Sequence, residues 1–265
     1  MELDYPMPSG MTTYAMPQIP EPDEIEGVEA GIALLEEIQE ELAGYRAGQP
    51  AVVLALDDLD QPDTELINQV LGSGEVSMKY HGAVDARIQE SVLAGVWRTF
   101  FFDSDDRVVC DLLEVADVPG VVGFAAESAG AVDVSSEGVG PELANALPIL
   151  VELQSQHEKY TNGGEPHSIN LTLLPLSEPE LEFIDQRLGR GPIDVLSRAY
   201  GKCEVISTQT AGIWWVRYYN SMSVLILNTL EVVDVPVVIK AAPEDLADSA
   251  ERLKEILEPY WSEVA

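Results

Sequence analysis

Positive charge is scarce in this chain of 265 residues. Only 14 lysines and arginines stand against 47 aspartates and glutamates, so the formal net charge is −33. Nucleic-acid backbones and anionic lipid surfaces repel such a chain, so we expect it neither to bind nucleic acid nor to insert into a membrane. The charge is typical either of a highly soluble or salt-adapted surface or of a protein that attracts a partner with a basic segment.

Cysteine, histidine and long apolar runs are scarce as well. The two cysteines show no metal-binding or disulfide spacing, and we find no carboxylate or second histidine at ligand spacing from the three histidines, so we predict no disulfide framework, no metal site and no cofactor. The longest apolar run, at 224–228, is too short to span a bilayer, and the N-terminus lacks the basic and apolar parts of a signal peptide. These features predict a cytoplasmic protein.

Internal repetition is the most informative feature of the sequence. The phrase LEVVDVPVV at 230–238 nearly repeats LEVADVPGV at 113–121, which lies 117 positions earlier. The same offset places Trp97 on Trp214. A fixed period of this kind indicates a tandem duplication of a unit of about 95 residues.

Each unit has the pattern of a helix, a strand, a second helix and then several strands joined by short turns. We therefore predict an α+β fold, in which two helix–strand–helix–antiparallel-meander units are related by a pseudo-twofold axis and carry their helices on one face of each sheet. The predicted organisation is an extended Pro/Met-rich N-terminal arm at 1–24, a first α+β repeat at 25–123, a linker at 124–141, a second repeat at 142–241 and a C-terminal helix at 242–265. The arm is expected either to dock on a partner or to pack on its own domain.

Several motifs resemble catalytic or phosphate-binding features. The Gly-x-Gly sequences at 72–74 and 189–191 follow predicted helices, where glycine ends a helix, whereas a phosphate-binding loop precedes one. Cys203 has cationic neighbours in the sequence that would lower the pKa of its thiol, so it is either a nucleophile or an ordinary strand thiol.

Two carboxylate pairs recur in both units. They are Glu114 with Asp117 and Glu231 with Asp234, each after the last strand of its unit. Paired carboxylates can act as a general acid and base, but the repeated Val and Pro around them favour a structural turn.

The aromatic strand at 213–220 carries the best candidate contacts. Alternation places Trp215, Arg217 and Tyr219 on one face and Trp214 on the other. We predict that Trp214 and its counterpart Trp97 belong to the core. The arginine–aromatic face has the composition of a binding hot spot, and it either joins the two units or contacts an outside partner.

Three long stretches carry a resemblance to a known family. They are RIQESVLAGVW at 87–97, RLGRGPIDVLSRAYGKC at 187–203 and IWWVRYYNSMSVLILNTLEVVDVP at 213–236. These stretches, together with both ends of the chain, resemble the hydrogenase expression/formation proteins called HupH, HyaF or HoxQ. The resemblance implies an accessory protein of [NiFe]-hydrogenase maturation, which assists the small, iron–sulfur subunit before twin-arginine export and assembly with the large subunit. No catalytic residue is carried over from the family.

The sequence and the resemblance together predict a non-enzymatic chaperone whose partner is the hydrogenase small-subunit precursor. The alternatives are a scaffold for other hydrogenase accessory proteins and a thiol- or carboxylate-dependent maturation enzyme. We expect partner contacts on an exposed sheet face and in the cleft between the units. The predicted contact residues are Arg87, Gln89, Glu90, Arg98, Arg198, Tyr200, Cys203, Trp215, Arg217 and Tyr219.

Overall fold

The computed structural model describes residues 27–56, 59–127, 130–198 and 201–261, which hold five α-helices and ten β-strands. The predicted arm at 1–24 and Tyr200 lie outside these ranges. The helices are α1 (Glu29–Gly44), α2 (Gln61–Leu71), α3 (Ala146–Thr161), α4 (Glu178–Leu188) and α5 (Pro243–Trp261). The strands are β1 (Val52–Ala55), β2 (Val76–Tyr80), β3 (Asp85–Glu90), β4 (Val96–Phe102), β5 (Val108–Val115), β6 (His167–Asn170), β7 (Ile193–Ser197), β8 (Lys202–Ser207), β9 (Ile213–Tyr219) and β10 (Leu225–Val232).

All ten strands form one antiparallel sheet in the order β1-β5-β4-β3-β2-β7-β8-β9-β10-β6. The α+β class is as the sequence predicts, but the prediction of a separate sheet in each unit is wrong. Strands β2 and β7 pair at the centre, with Met78 opposite Val195, and so join the two halves. Hydrogen-bond pairing between strands from different units leaves no signal in hydrophobic periodicity, which explains the error.

Local signals position the second helix of each half. The Asp60 side chain accepts a hydrogen bond from the Asp63 N–H at the start of α2, and Ser177 forms a capping box with Glu180 at the start of α4. Gly72 and Gly189 end these helices with positive φ angles of 52° and 60°. The predicted role of both glycines in ending a helix is therefore confirmed.

One face of the sheet is buried across its central strands, from β3 to β9. A row of side chains on this face runs through Ile88 and Met78 in the first half and Val195, Val205 and Val216 in the second, and all five are at most 2% exposed. The segments that follow β5 and β10 pack into the same core through Val121, Val122 and Ile239. Trp97 and Trp214 are 0% and 1% exposed, so their predicted place in the core is confirmed.

The opposite face carries helices at both ends. Arg98 of β4 reaches Asn68 of α2, and Trp215 of β9 packs in a second core with Leu150 of α3 and Ile184 of α4. Between these helices the central strands are only partly covered, because alternate residues of β2, β3 and β8 stay exposed or half-exposed on this face.

The C-terminal helix α5 packs against α1. Its apolar stripe, which includes Leu246, Leu253 and Leu257, is buried. Gly95, at the β3–β4 turn with φ of 85°, lies so close to Leu246 that a Cβ atom there would clash with the leucine side chain. Within the described ranges, no helix is long and apolar enough to cross a membrane.

Candidate functional site

Strand register gathers most of the predicted contact residues on the partly covered face. Arg98 pairs with Gln89 across β4 and β3, Gln89 pairs with Ser77, and the row continues through Leu196 to Glu204 and Arg217. We name the exposed and half-exposed part of this face the open sheet surface. It consists of Ser77, Lys79, Arg87, Gln89, Arg98, Phe100, Phe102, Lys202, Glu204, Arg217 and Tyr219.

Cations lie over aromatic rings along the open sheet surface. The Arg87 guanidinium carbon is 4.3 Å from the ring centroid of Phe102, and that of Arg98 is 4.8 Å from the centroid of Phe100. In the second half, Arg217 lies 4.4 Å from the Trp215 ring, and the Lys202 ammonium lies 5.0 Å from the Tyr219 ring. Such contacts hold the long side chains in place at the surface and present flat, partly apolar groups to solvent.

Ion pairs hold most of these cations. Arg98 donates two hydrogen bonds to Asp111, of 2.9 and 2.6 Å, and Arg87 donates one of 2.8 Å to Asp106. Five of the 14 lysines and arginines of this acidic chain lie on the open sheet surface, and carboxylates neutralise three of them, Arg87, Arg98 and Lys202.

Glu204 joins two groups in the second half. It pairs with Lys202 at 2.8 Å and accepts a hydrogen bond of 3.0 Å from the Tyr219 hydroxyl. Burial, and then the charge of Glu204, raise the pKa of Tyr219 to about 12. Among the described residues, no carboxylate lies within ion-pair distance of Arg217.

Three predicted contact residues are not available at this surface. Glu90 and Cys203 point to the buried face, and Trp215, on the other face, is covered by the core under α3 and α4. Trp215 is 3% exposed, and its indole N–H donates to Asn228. Alternation in the sequence separates the two faces of a strand but does not say which helices cover them, so it could not show that Trp215 is buried.

The expectation that neighbouring cations lower the pKa of Cys203 is wrong. The thiol is 3% exposed, and burial raises its pKa to about 12, with further increases from the charges of Glu231 and Glu204. A hydrogen bond with Tyr218 opposes this shift only in part. The buried thiol therefore stays protonated, which is unfavourable for a nucleophile.

Glu90 is a buried carboxyl near α5. Burial raises its pKa from 4.5 to about 7, while hydrogen bonds from the Gly95 and Val76 N–H groups lower it and the charges of Glu75 and Asp245 raise it further. The Glu90 side chain belongs to the core rather than to the open sheet surface.

The last two predicted contacts in the described part of the chain are Gln89, which belongs to the open sheet surface, and Arg198, which lies beside it. The Gln89 amide donates to the carbonyl oxygens of Gly74, Val76 and Glu90, so it holds the end of β3. Arg198 follows β7, and its N–H donates to the Glu75 carbonyl.

The duplicated carboxylates stabilise turns in the first half, as the sequence favours. Glu114 accepts hydrogen bonds from the Gly120 N–H and the Thr99 hydroxyl. Asp117 accepts from the Tyr45 hydroxyl at 2.9 Å and from the Gly48 N–H at 3.2 Å. In the second half, the Tyr160 hydroxyl instead contacts the main-chain N–H of Asp234.

Asp194 is a notable residue that the sequence reasoning missed. It lies on β7 among buried neighbours, is 6% exposed, and its Oδ1 has no hydrogen-bond partner among the described residues. The signal was present in the sequence, because a single aspartate interrupts the apolar strand PIDVL. No group of three or more His, Cys, Asp or Glu side chains in the described part of the chain could hold a metal ion.

Comparison with known proteins extends over nearly the whole chain. The family model described as HupH hydrogenase expression protein, C-terminal conserved region, matches twice, at residues 28–138 and 143–260. The chain is similar to the hydrogenase expression/formation protein HupQ of Azotobacter chroococcum, with 45% identity over 97% of this chain and 91% of that protein. It is also 44% identical to HoxQ of Azotobacter vinelandii, over 95% of this chain and 89% of that protein.

A solved structure is similar to part of the chain. It is the hydrogenase expression protein HupH from Thiobacillus denitrificans, 29% identical, with a TM-score of 0.42 over 43% of this chain and 96% of that one. The family match and the identity to curated relatives over nearly the full length agree with the resemblance of the sequence motifs. The chain therefore belongs to the HupH family of hydrogenase expression/formation proteins.

Proposed function

We propose that this chain is a non-enzymatic accessory protein that binds the small, iron–sulfur subunit precursor of a [NiFe]-hydrogenase before export and assembly. Membership of the family supports a role in hydrogenase maturation. The single observation that carries the binding role is the open sheet surface, where cations lie over exposed or half-exposed aromatic rings.

The composition of this surface suits a protein partner. Arginine and aromatic side chains contribute most of the free energy in many protein interfaces. Here they are held in place by cross-strand ion pairs such as Arg98 with Asp111, so little side-chain entropy remains to be lost on binding. A rigid sheet that presents preformed side chains is a suitable docking platform for a folded or extended polypeptide.

The direction of the Cys203 shift favours binding over thiol catalysis. A nucleophilic cysteine requires a lowered pKa and access to substrate, whereas burial raises the pKa of this thiol to about 12. We therefore place Cys203 in the core and the partner contacts on the open sheet surface.

We also propose that the two halves arose by tandem duplication, with a pseudo-twofold axis through the sheet. The double match of the family model and the same order of helices and strands in each half support this proposal. The central pair in the sheet, Met78 and Val195, is separated by the same 117 positions as the repeated phrases in the sequence. A duplicated unit would give a single chain a continuous binding sheet without dimerisation.

A pull-down from a hydrogenase-expressing strain tests the proposed partner. Tagged protein is recovered at low and at moderate salt, and bound proteins are identified by mass spectrometry. We expect recovery of the small-subunit precursor with its leader attached, and weaker recovery as salt screens the charge of −33. Recovery of accessory proteins without the precursor would favour the scaffold. No captured partner, together with loss of maturation in a Cys203→Ser variant whose unfolding temperature equals that of the wild type, would favour the enzyme.

A further inference from the structure

Two neighbouring segments at one edge of the sheet contain no aspartate, glutamate, lysine or arginine, although these residues make up 23% of the chain. The segments are 166–177, which includes β6, and 218–230, which includes most of β10. Strand β6 pairs with β10 only at 229–232, so no described strand lies along the outer side of residues 225–227. Six large apolar side chains of these segments are 39–79% exposed, and we name them the uncharged edge: Leu173, Leu174, Met222, Val224, Leu225 and Ile226.

The turn before β10 does not need apolar residues to form. Asn220 Oδ1 accepts hydrogen bonds from the N–H groups two and four residues later, and Asp103, which lies 117 positions earlier, does the same in the turn before β5. The residue before the second donor has a φ angle of 58° in one turn and 59° in the other. The first turn has an aspartate and an arginine at the two donor positions, where the second has Met222 and Val224. The same backbone therefore tolerates charge, and the apolar pair serves something other than the fold.

Apolar side chains that are exposed as a group usually mark a binding surface. The main chain at this edge is poorly suited to regular pairing with another strand. The register of β10 against β9 shifts between Leu225 and Leu227, and the Asn228 N–H already donates to the Thr172 hydroxyl. A bulge of this kind disfavours edge-to-edge strand pairing, so binding here depends on packing of the apolar side chains.

Charge selects the occupant of the uncharged edge. A second copy of the chain is a poor occupant, because two molecules of charge −33 repel one another. The segment 1–26 is equally poor, since it has six carboxylates and no lysine or arginine. A different polypeptide can complement both features of this region. Its apolar residues would pack on the uncharged edge, and basic residues beside them would be attracted by Glu165 and Glu178, which are exposed at the two ends of the segment 166–177.

We propose that the uncharged edge binds a segment of a partner polypeptide that has an uncharged apolar core and basic residues beside it. This contact is separate from the open sheet surface, and it gives the partner a second point of attachment at the β6–β10 edge. The inference rests on the proposed function for the identity of the partner, which is then the small-subunit precursor.

The first test compares two double variants that leave the net charge unchanged. Met222→Asp/Val224→Arg gives the second turn the residue types that the first turn has in Asp105 and Arg107. The control, Val84→Arg/Val237→Asp, replaces two valines that are 43% and 81% exposed outside the uncharged edge. The dissociation constant for the purified small-subunit precursor is measured by titration calorimetry. We expect the first variant to weaken binding about ten-fold or more, because two apolar contacts are lost, and the control to change it by about two-fold at most.

The unfolding temperature separates lost binding from lost folding. The substituted turn positions are exposed, and the first half shows that the turn accepts charge there, so we expect the variant to unfold at the temperature of the wild type. Leu173→Gln changes a side chain that is 79% exposed on the other segment, and it should weaken binding as well. Unchanged binding by either folded variant, or an equal loss in the control, would overturn the proposal.

Photo-cross-linking in cells identifies the occupant independently of the proposed function. A photo-reactive phenylalanine analogue takes the place of Leu173, and mass spectrometry identifies the cross-linked peptide. We expect an uncharged apolar segment of another polypeptide with basic residues beside it, and loss of this product when Met222→Asp/Val224→Arg is added. A cross-link to residues 1–26, to a second copy or to no polypeptide would overturn the inference. Such a segment in a polypeptide other than the precursor would support the inference and refute the proposed partner.

Discussion

Glu90 makes the stability of this protein dependent on pH in a predictable direction. The carboxyl is 8% exposed, and burial raises its pKa from 4.5 to about 7. A group whose pKa is raised in the folded state stabilises that state fully below its unfolded pKa, and the contribution is lost as pH rises through the folded pKa. The stability contributed by Glu90 should therefore fall between about pH 4.5 and pH 7.

The size of the effect follows from the shift. Because the pKa rises from 4.5 to about 7 on folding, ionisation of Glu90 should lower the free energy of unfolding by about 3 kcal/mol above pH 7, compared with its value below pH 4.5. Glu90→Gln keeps an oxygen that can accept the hydrogen bonds of the Gly95 and Val76 N–H groups but carries no charge. We expect the variant to match the wild type near pH 4.5 and to be more stable by up to about 3 kcal/mol at pH 8.

Denaturant unfolding at a series of pH values between 4.5 and 8 measures this difference. Glu182→Gln is a matched control, since it removes one carboxylate from the exposed face of α4. The control should follow the pH dependence of the wild type. If the curves of Glu90→Gln and the wild type run parallel over the whole range, the burial argument for Glu90 is wrong.

Three further predictions concern the core, the thiols and the turns. A thiol reagent at pH 8 should modify exposed Cys110 and spare buried Cys203, because burial raises the pKa of the Cys203 thiol to about 12. Mass spectrometry counts the modified thiols, and rapid labelling of Cys203 would contradict its burial. In denaturant titrations, Trp215→Ala should lower the free energy of unfolding by about 3–5 kcal/mol, because Trp215 is buried. Arg217→Ala should lower it by less than about 1 kcal/mol, because Arg217 is half-exposed. Equal losses would be inconsistent with the observed burial. Asp117→Ala removes a hydrogen-bond acceptor from the turn after β5 and should cost about 1–3 kcal/mol by the same measurement, whereas an unchanged midpoint would show that the turn does not need it.

Alternation and helix-end signals in the sequence predict a large part of this structure. The α+β class, the core tryptophans Trp97 and Trp214, and the helix-ending glycines Gly72 and Gly189 all follow from local patterns. These features depend on neighbouring residues in the chain, so a sequence contains the information needed to find them.

Features that depend on distant contacts were not predictable in the same way. The pairing of β2 with β7 joins the halves into one sheet, and the helices α3 and α4 cover Trp215. The sequence neighbours of Cys203 include cations, yet the pKa of its thiol is set by burial on the other face of the sheet. Asp194 was visible as a polar residue within an apolar strand, but only the three-dimensional structure shows that one of its oxygens lacks a donor.

The distribution of charge also changes the initial interpretation of the composition. The overall charge of −33 predicts attraction for a basic partner, whereas five of the 14 cations lie together on the open sheet surface. Because most of those cations are paired with carboxylates, the surface offers ordered arginine and aromatic groups for packing. Under the proposed function, the long-range field would attract a basic segment of the partner, and the local contacts would determine which segment fits.

Complementation of a strain that lacks this gene tests the central claim, that the protein acts by binding through the open sheet surface. The double variant Arg87→Ala/Arg217→Ala removes two cations from that surface, and Lys240→Ala/Lys254→Ala removes one exposed and one half-exposed cation elsewhere. Hydrogenase activity and the level of processed small subunit are measured at equal cellular levels of each variant. We expect the control pair to restore maturation and the surface pair to fail, with loss of the precursor from pull-downs. Full restoration of maturation by the surface pair would contradict the claim.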